Sequence, residues 1–225
     1  MLTRRQFLET GVLSLLAVQM SELTESGGAQ VEPQKLGGDI SRVLSTRRTV
    51  RRYSQKGMTL EQLAALLWSA QGVTDKRRGL RTAPSAGALY PLEVFAFTGE
   101  GTVKGLGPGV YRFIPQSWNM EQTASGDRRK DLASACLFQI WVAQAPACLL
   151  ISSVYERTMQ KYGERGIRYA DIESGCAAQN IFLMAGAMKL SAGIVGAFKD
   201  DEVMRLTGTS ENARPLLVMP VGYQA

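Results

Sequence analysis

The stretch RTAPSAGALYPLEVFAF, residues 81–97, decides how the rest of the chain is interpreted. Pro84 leads a run of small residues, and Pro91 closes the turn before apolar and aromatic residues that predict a strand over 92–97. Small side chains let a flat ligand lie close to the backbone. Ser85 is expected to cap a short helical turn whose free N–H groups face such a ligand. An ordinary loop before a strand is the alternative.

Length and composition indicate one globular domain with a tail. The 225 residues are 45% hydrophobic and 20% charged, which suffices for one sizeable core. The net charge of +6 could favour nucleic acid, but the basic residues are dispersed and no nucleic-acid motif is found. We therefore expect no nucleic-acid partner, and salt-dependent retention of DNA would be the sign of one.

Histidine and cysteine usage excludes several chemistries. The chain has no histidine, which rules out a Ser-His-Asp triad and an HExxH metal site. The three cysteines, Cys136, Cys148 and Cys176, form no CxxC pair and lie in apolar patterns. They are predicted to be buried free thiols, so no metal site is expected.

The N-terminus resembles an export signal. Arg4 and Arg5 precede a short apolar run in MLTRRQFLETGVLSLLAVQM, the pattern of a twin-arginine signal, by which proteins leave the cytoplasm already folded. We expect a signal peptide over residues 1–30, a Gly-rich linker over 31–38 and the folded domain over 39–225. The predicted location is periplasmic or otherwise extracytoplasmic. A basic leader that stays attached is the alternative.

Periodicity predicts helices interleaved with a mainly antiparallel meander, an α+β fold. Asp39 is a predicted N-cap, and Thr59 with Gln62 forms a predicted capping box. Asp127 is a further predicted cap. Residues 114–126 are expected to be irregular, and residues 191–198 to form a turn and a short strand. The other expected elements are strands over 109–113, 147–154 and 215–223, and helices over 60–71, 127–137, 155–190 (the long part from 167) and 200–206.

Arginines cluster early in the domain, in STRRTVRRY, residues 45–53. A guanidinium matches phosphate oxygens bidentately, and the hydroxyl of Thr49 adds a hydrogen bond, so this segment is a candidate phosphate site. A solvated basic stretch is the alternative.

Taken in order, these segments resemble the nitroreductase-like flavoprotein superfamily over about residues 40 to 223. The segment PSAGALYPLEV, residues 84–94, resembles the corresponding sequence in the branch of SagB-type dehydrogenases, which oxidise azolines in peptide natural-product pathways. Supporting segments are RRT (47–49), RYADIESGCAAQN (168–180), VGAF (195–198) and PLLVMPVG (215–222).

The resemblance implies a homodimeric α+β fold that binds FMN at the subunit interface. It implies that Arg47 and Thr49, with Arg48 beside them, hold the flavin phosphate. It places two sets of residues along the flavin. These are Pro84, Ser85, Ala86 and Gly87 at the ring or ribityl chain, and Val195, Gly196 and Ala197 near the ring.

The chain also departs from the family pattern. Ala88 stands where plain nitroreductases carry asparagine, as in the azoline-oxidising branch, and Cys176 replaces a usual histidine. A basic phosphate ligand often found beyond the last strand is missing, and Arg214 is a conjectural substitute. Lys161 and Tyr162 match a Lys-Tyr pair of azoline oxidases, and are candidate catalytic residues or a surface pair.

The function that these features predict is an FMN-dependent oxidoreductase. It would pass hydride or electrons between a small-molecule donor and a small organic acceptor through the bound flavin. A non-catalytic protein that binds or sequesters flavin on the same scaffold is the alternative.

Overall fold

The computed structural model describes residues 38–209 and 212–225. By internal contacts the chain divides after Ser41: the first unit contributes only residues 38–41 to the described part, and the second, Arg42–Ala225, is one compact unit. The predicted signal peptide, residues 1–30, and residues 31–37 of the predicted linker lie outside the described residues. Within the described part, no helix is long and apolar enough to cross a bilayer.

The α+β prediction is confirmed. The helices of the described residues are α1 (Gly38–Thr46), α2 (Leu60–Gln71), α3 (Arg129–Ala135), α4 (Trp141–Gln144), α5 (Glu156–Tyr162), α6 (Arg165–Ala187) and α7 (Asp200–Thr207). The strands are β1 (Met58–Thr59), β2 (Val73–Asp75), β3 (Leu80–Arg81), β4 (Leu92–Thr98), β5 (Val103–Lys104), β6 (Gly109–Ile114), β7 (Asn119–Ser125), β8 (Ala147–Ser153), β9 (Ser191–Ala192) and β10 (Arg214–Gly222).

The main sheet has the order β7-β6-β4-β8-β10-β9, and every neighbouring pair is antiparallel. Its central strands are buried on both faces, and alternate side chains enter two separate cores. Val94 and Ala96 of β4 belong to a core that also contains α2 and α6. Phe95 and Phe97 belong to a second core, with α3, α4 and α7. The sheet is therefore the middle layer between two layers of helices.

Several local predictions are confirmed. Thr59 and Gln62 form a reciprocal capping box at the start of α2, and Gly72 follows its last residue. The strands β4, β6, β8 and β10 lie within a residue of their predicted positions. Asp39 lies in the first turn of α1 rather than before it.

Other predictions are wrong for identifiable reasons. Residues 119–125, expected to be irregular, form β7, an edge strand whose mainly exposed sequence NMEQTAS carries no apolar alternation. The helix predicted over 155–190 is two helices, because Gly163 adopts φ 59°, ψ −149° between them. Helix α3 ends at Ala135, and Leu137 follows in the left-handed region, outside the helix. The prediction for residues 191–198, by contrast, is confirmed in outline, because they contain a short strand, the two-residue β9, and an isolated bridge between Val195 and Val218.

Glycines in α6 have different surroundings. A methyl group at Gly186 would lie 2.7 Å from Val43 Cγ1, so this glycine admits α1 against α6 within one chain. A methyl group at Gly175 would meet no described residue within 4 Å. Helix α6 therefore has an open position at Gly175, whereas Gly186 serves the internal core.

Candidate functional site

The loop before β4 is strongly bent. It contains a 3₁₀ turn over Ala86–Ala88, and φ is positive at Gly87 (62°), Ala88 (54°) and Tyr90 (47°). The left-handed region is uncommon for residues other than glycine and costs on the order of 1–3 kcal/mol at each such residue. Backbone strain of this kind persists only where surrounding contacts determine it, and it concentrates at functional sites.

The contacts that hold this loop converge on Tyr90. The backbone N–H of Tyr90 donates to Ser85 Oγ over 2.9 Å, and its hydroxyl accepts from the N–H of Arg81 over 3.2 Å. The Arg81 guanidinium lies 4.5 Å from the centroid of the Tyr90 ring. Ser85 is the N-cap residue of the 3₁₀ turn, as predicted, but its hydroxyl accepts from the Tyr90 N–H and makes no capping hydrogen bond.

An ion pair supports the loop from the other side. Arg157 Nη2 of α5 lies 2.6 Å from Glu93 Oε1 of β4. Arg157 Nη1 also donates to the Tyr90 carbonyl over 3.4 Å. Because the Glu93 side chain is largely buried, this pair is less screened than a surface ion pair and ties α5 to the loop.

Lys161 and Tyr162, at the end of α5, lie against the same loop. A methyl group added at Gly87 would be 2.8 Å from Tyr162 Oη and 3.0 Å from Lys161 Nζ. The Tyr162 ring is packed edge-on against Tyr169, with centroids 5.1 Å apart, while Lys161 is exposed. The structure thus brings the predicted Lys-Tyr pair and the small-residue loop together, although more than 70 residues separate them in sequence.

Behind the loop lies a buried carboxyl group. Glu173 of α6 is 2% exposed, and its Oε1 accepts from Gln71 Nε2 of α2 over 3.1 Å. Gln71 Oε1 in turn accepts from Arg81 Nη1 over 3.0 Å. Burial raises the pKa of Glu173 above its ordinary value, although Ser85, Gln71 and Arg81 all favour the ionised form. Glu173 Oε2 has no hydrogen-bond partner in the part of the chain that the structure describes.

A basic cleft of about 260 Å³ lies at the other end of α6. Arg47 is half-buried there, with its guanidinium 5.1 Å from the centroid of the Phe182 ring. Arg48 Nη1 donates to the carbonyls of Arg47 and Ser45 at the end of α1. The lining residues are Val43, Thr46, Arg47, Arg48, Val50, Phe182, Gly186, Lys189, Leu190, Ser191, Ala192 and Gln224.

The cleft brings together only part of the predicted phosphate site. Arg47 and Arg48 line it, and Lys189 adds a third cation that the sequence did not suggest. Thr49 does not line it: this residue is half-buried and forms a backbone bridge to Ala192. Arg214, the conjectural substitute, lies on β10 with its guanidinium 3.9 Å from Asp201 Oδ1 and outside the lining of the cleft.

The segment Val195–Ala197 contributes differently from residue to residue. The Val195 side chain is buried in the core between the sheet and α7, so only its backbone remains to face a ligand. Gly196 and Ala197 are exposed, and a methyl group on Gly196 would meet none of the residues that the structure describes within 4 Å. Open space beside Gly196 is what a flat ligand close to the backbone requires.

Helix α6 connects the two parts of the site. Glu173 lies behind the bent loop, and Phe182 lines the basic cleft. At a rise of about 1.5 Å per residue, these two residues are about 14 Å apart along the helix. The candidate site therefore has a basic end and a loop end on one rigid element.

The cysteines contribute no ligands. Cys136 and Cys148 are buried as predicted, whereas Cys176 of α6 is half-buried and packs against the first core. Among the described residues, no group of three or more Cys, Asp or Glu side chains could hold a metal ion.

Two features of the site were missed in the sequence. Glu173 is an acidic residue at helical spacing from the apolar Ala177 and Ile181. Acidic side chains are rarely fully buried, so a carboxyl group within this apolar pattern indicated an unusual position. Lys189 gave none, because a lysine at a helix C-terminus is ordinary. Its place in the cleft follows from the packing of α1 against α6.

Two sequence relatives give the chain its context. A Methanocaldococcus jannaschii protein, provisionally named as a nitroreductase, is 43% identical over 180 residues, 80% of this chain and 88% of that protein. The microcin B17-processing protein McbC of Escherichia coli is 27% identical over 171 residues, 73% of this chain and 62% of McbC.

Solved structures share the fold. A Ralstonia eutropha protein, provisionally named as a nitroreductase, superimposes with a TM-score of 0.72 at 25% identity, over 83% of each chain. The NADPH:FMN oxidoreductase of Vibrio harveyi, solved with NAD⁺, gives a TM-score of 0.60 at 18% identity, over 83% of this chain and 69% of that one. The sequence model of the Nitroreductase family matches residues 44–223, so this chain belongs to the nitroreductase family, whose members are oxidoreductases that generally bind flavin.

Proposed function

We propose that the protein is an FMN-dependent oxidoreductase that passes hydride between a small-molecule reductant and a small organic substrate. The observation that carries this proposal is the convergence of Lys161 and Tyr162 on Gly87 of the bent loop. A protonatable pair beside a glycine-lined surface is the arrangement that proton transfer coupled to flavin chemistry needs.

The residues present fit FMN in three respects. Positive charge from Arg47, Arg48 and Lys189 surrounds a cleft that can take a phosphate. Gly196 and Ala197 leave open space for a flat ring. The half-buried Ser85 and Ala86 present small side chains on the bent loop. Arg47, Arg48 and Lys189 would hold the phosphate end, and Pro84–Gly87 with residues 195–197 would line the ring and ribityl chain.

When bound, FMN supplies hydride acceptance and donation. The task of the chain is to orient the substrate over the ring and to move a proton at the substrate. Oxidation of an azoline to an azole removes a hydride and a proton from adjacent atoms, so a base must take the proton. We assign that base to Lys161 or Tyr162, because the polar ends of both side chains reach Gly87 of the bent loop.

We further propose that the chain lies in or near the SagB-type branch. Support comes from the segment PSAGALYPLEV, the Lys-Tyr pair and the similarity to McbC. The M. jannaschii relative is more similar in sequence and carries a general nitroreductase name, so substrate tests have to include both azoline-containing peptides and nitroaromatic compounds.

A homodimer would complete the site, and export by the twin-arginine machinery would deliver it folded. The dimer is supported by exposed apolar residues, Phe138, Ile140, Ile167 and Ile172, together with the open position at Gly175. Export, the signal peptide over residues 1–30, the linker over 31–38 and the extracytoplasmic location rest on the sequence of the N-terminus alone. Sedimentation of the purified protein, and fractionation of cells expressing an Arg4→Lys, Arg5→Lys variant, test these two proposals.

The spectrum of the purified protein tests the central proposal. We expect a yellow protein with the visible absorbance of bound flavin, or one that becomes yellow when refolded with excess FMN. A protein that stays colourless and shows no spectral change on titration with FMN contradicts the proposal.

A flavin-sequestering protein is the second candidate, since Cys176 occupies the place of a usual histidine. Anaerobic reduction with dithionite followed by a screen of oxidants separates the two. An enzyme is reoxidised rapidly by at least one acceptor class, whereas a sequestering protein is reoxidised slowly by all of them.

A further inference from the structure

Glu173 has no part in the function proposed above, yet its position is unusual. It is a carboxyl group buried to 2% exposure in a helix that packs against apolar residues. Burying an ionisable group is costly unless it is fully hydrogen-bonded, and Oε2 of Glu173 has no hydrogen-bond partner within residues 38–209 and 212–225. A group kept under such conditions is a candidate for a functional role.

The neighbours of Glu173 connect it to the bent loop. Gln71 Nε2 donates a hydrogen bond to Glu173 Oε1, and Gln71 Oε1 accepts one from Arg81 Nη1. The Arg81 guanidinium lies over the ring of Tyr90. Ser85 is the first small residue of the loop, and its hydroxyl lies close enough to Glu173 to favour the ionised form of that carboxyl group. Glu173 is therefore one residue removed from the proposed flavin contacts at Ala86 and Gly87.

The charged groups around this carboxyl balance only when it is ionised. Arg81 of β3 faces it through Gln71, and Arg81 in turn interacts with Tyr90, Glu93 and Arg157. Glu93 and Arg157 neutralise each other across 2.6 Å. An ionised Glu173 thus offsets Arg81, and a protonated Glu173 leaves one positive charge in excess. Lys161 adds a further, exposed cation beside Gly87.

We propose that Glu173 exchanges a proton with solvent as the bound flavin changes oxidation state, and thereby tunes the reduction potential of the flavin. This inference rests on the proposed FMN site. Two-electron reduction adds negative charge to the ring. Glu173 takes up one proton from solvent as that charge appears and releases it on reoxidation, so the carboxyl is not consumed. The excess positive charge that remains around protonated Glu173 stabilises the added negative charge.

Glu173 acts here through the electrostatic field and the loop, and is a positioning residue rather than a catalytic one. If Glu173 were purely structural, its replacement by glutamine would leave the pH dependence of the flavin midpoint potential unchanged. Proton uptake coupled to reduction instead makes the midpoint potential fall more steeply as the pH rises.

The test compares the full-length, FMN-loaded wild type with Glu173→Gln and with the control Glu100→Gln, which removes an exposed carboxylate in the turn between β4 and β5. Midpoint potentials are measured by redox titration with reference dyes between about pH 5 and 9, a range that lies above the ordinary pKa of a glutamate. We expect plots of midpoint potential against pH to contain the same steep segment in the wild type and in Glu100→Gln. In Glu173→Gln we expect that segment to be absent. Parallel lines for all three proteins overturn the inference.

A second measurement uses only the FMN-loaded wild type, so it does not depend on whether the variants fold and bind flavin. In the reduced-minus-oxidised infrared difference spectrum of the wild type, we expect a gain of the carbonyl band of a protonated carboxylic acid and a matching loss of carboxylate absorption. A spectrum without that gain at any pH overturns the inference while the protein remains yellow. A protein that binds no FMN overturns the proposed function and this inference together, so the two failures are distinguishable.

Discussion

The hydroxyl of Tyr162 occupies the space in which a side chain on Gly87 would begin, 2.8 Å from the position of an added methyl group. Gly87 adopts φ 62° and is therefore glycine for two reasons, backbone conformation and the approach of Tyr162. The contact joins the end of α5 to the loop before β4 and defines the loop end of the candidate site.

Replacing Gly87 with alanine is expected to disturb this contact. The left-handed conformation should cost about 1–2 kcal/mol in free energy of unfolding, and the new methyl group should displace Tyr162 and Lys161. Denaturant titration and fluorescence titration with FMN measure both effects. Gly79→Ala is the matched control, since Gly79 has φ 69° and open space around it. Equal FMN affinity in the two variants would contradict the assignment of the loop to the flavin site.

Arg47→Ala is expected to weaken FMN binding by about 1.5–3 kcal/mol, the value of a hydrogen bond to a charged group. Arg77→Ala removes an exposed arginine from the turn between β2 and β3 and serves as the control for net charge. Isothermal titration with FMN gives both affinities. Unchanged affinity in Arg47→Ala would remove this residue from the phosphate site, and Lys189→Ala would then be the next variant to test.

Lys161→Ala and Tyr162→Phe are expected to slow oxidation of an azoline-containing peptide by about 10²–10⁴-fold, the usual contribution of a general base, at whichever residue is the base. FMN binding should persist in both variants. Mass spectrometry follows the loss of two hydrogen atoms per ring, and Lys130→Ala on the exposed start of α3 is the control. A parallel loss of flavin and turnover would make the pair a binding element instead.

The stability of the flavin-free protein should depend on Glu173. Burial raises the pKa of this carboxyl in the folded state, so the folded protein binds the proton more tightly than the unfolded chain. Stability then falls as the pH rises from the unfolded pKa, about 4.3, through the raised folded value. Glu173→Gln should remove this fall and gain stability relative to the wild type from acid to neutral pH. Denaturant titrations at several pH values measure it, and a constant difference between the two proteins would refute the expectation.

Cys136 and Cys148 are expected to resist thiol reagents in the native protein. Burial raises the pKa of the Cys136 thiol to about 12 and also raises that of Cys148 above its ordinary value, so little thiolate forms at neutral pH. All three thiols should react after unfolding in denaturant. Rapid labelling of Cys136 or Cys148 in the folded protein, located by peptide mass mapping, would show that the second core opens readily.

Local patterns in the chain predicted most elements of the fold. The capping box at Thr59, the apolar strand after Pro91 and the spacing in α6 each depend on neighbours a few residues apart. The edge strand β7 escaped prediction because its exposed residues carry no apolar alternation. The break at Gly163 escaped because a single glycine within a helical pattern is compatible with a continuous helix.

The sequence by itself determined the α+β class, the small-residue loop, the arginine cluster and the membership of the family, because short-range periodicity and residue type carry that information. Tertiary structure alone decided that Tyr162 and Lys161 meet Gly87, that Lys189 joins Arg47 and Arg48 in one cleft, and that Glu173 lies behind Ser85. These contacts join segments far apart in the chain. They arise from the packing of helices and loops that are distant in the chain, which no local pattern specifies.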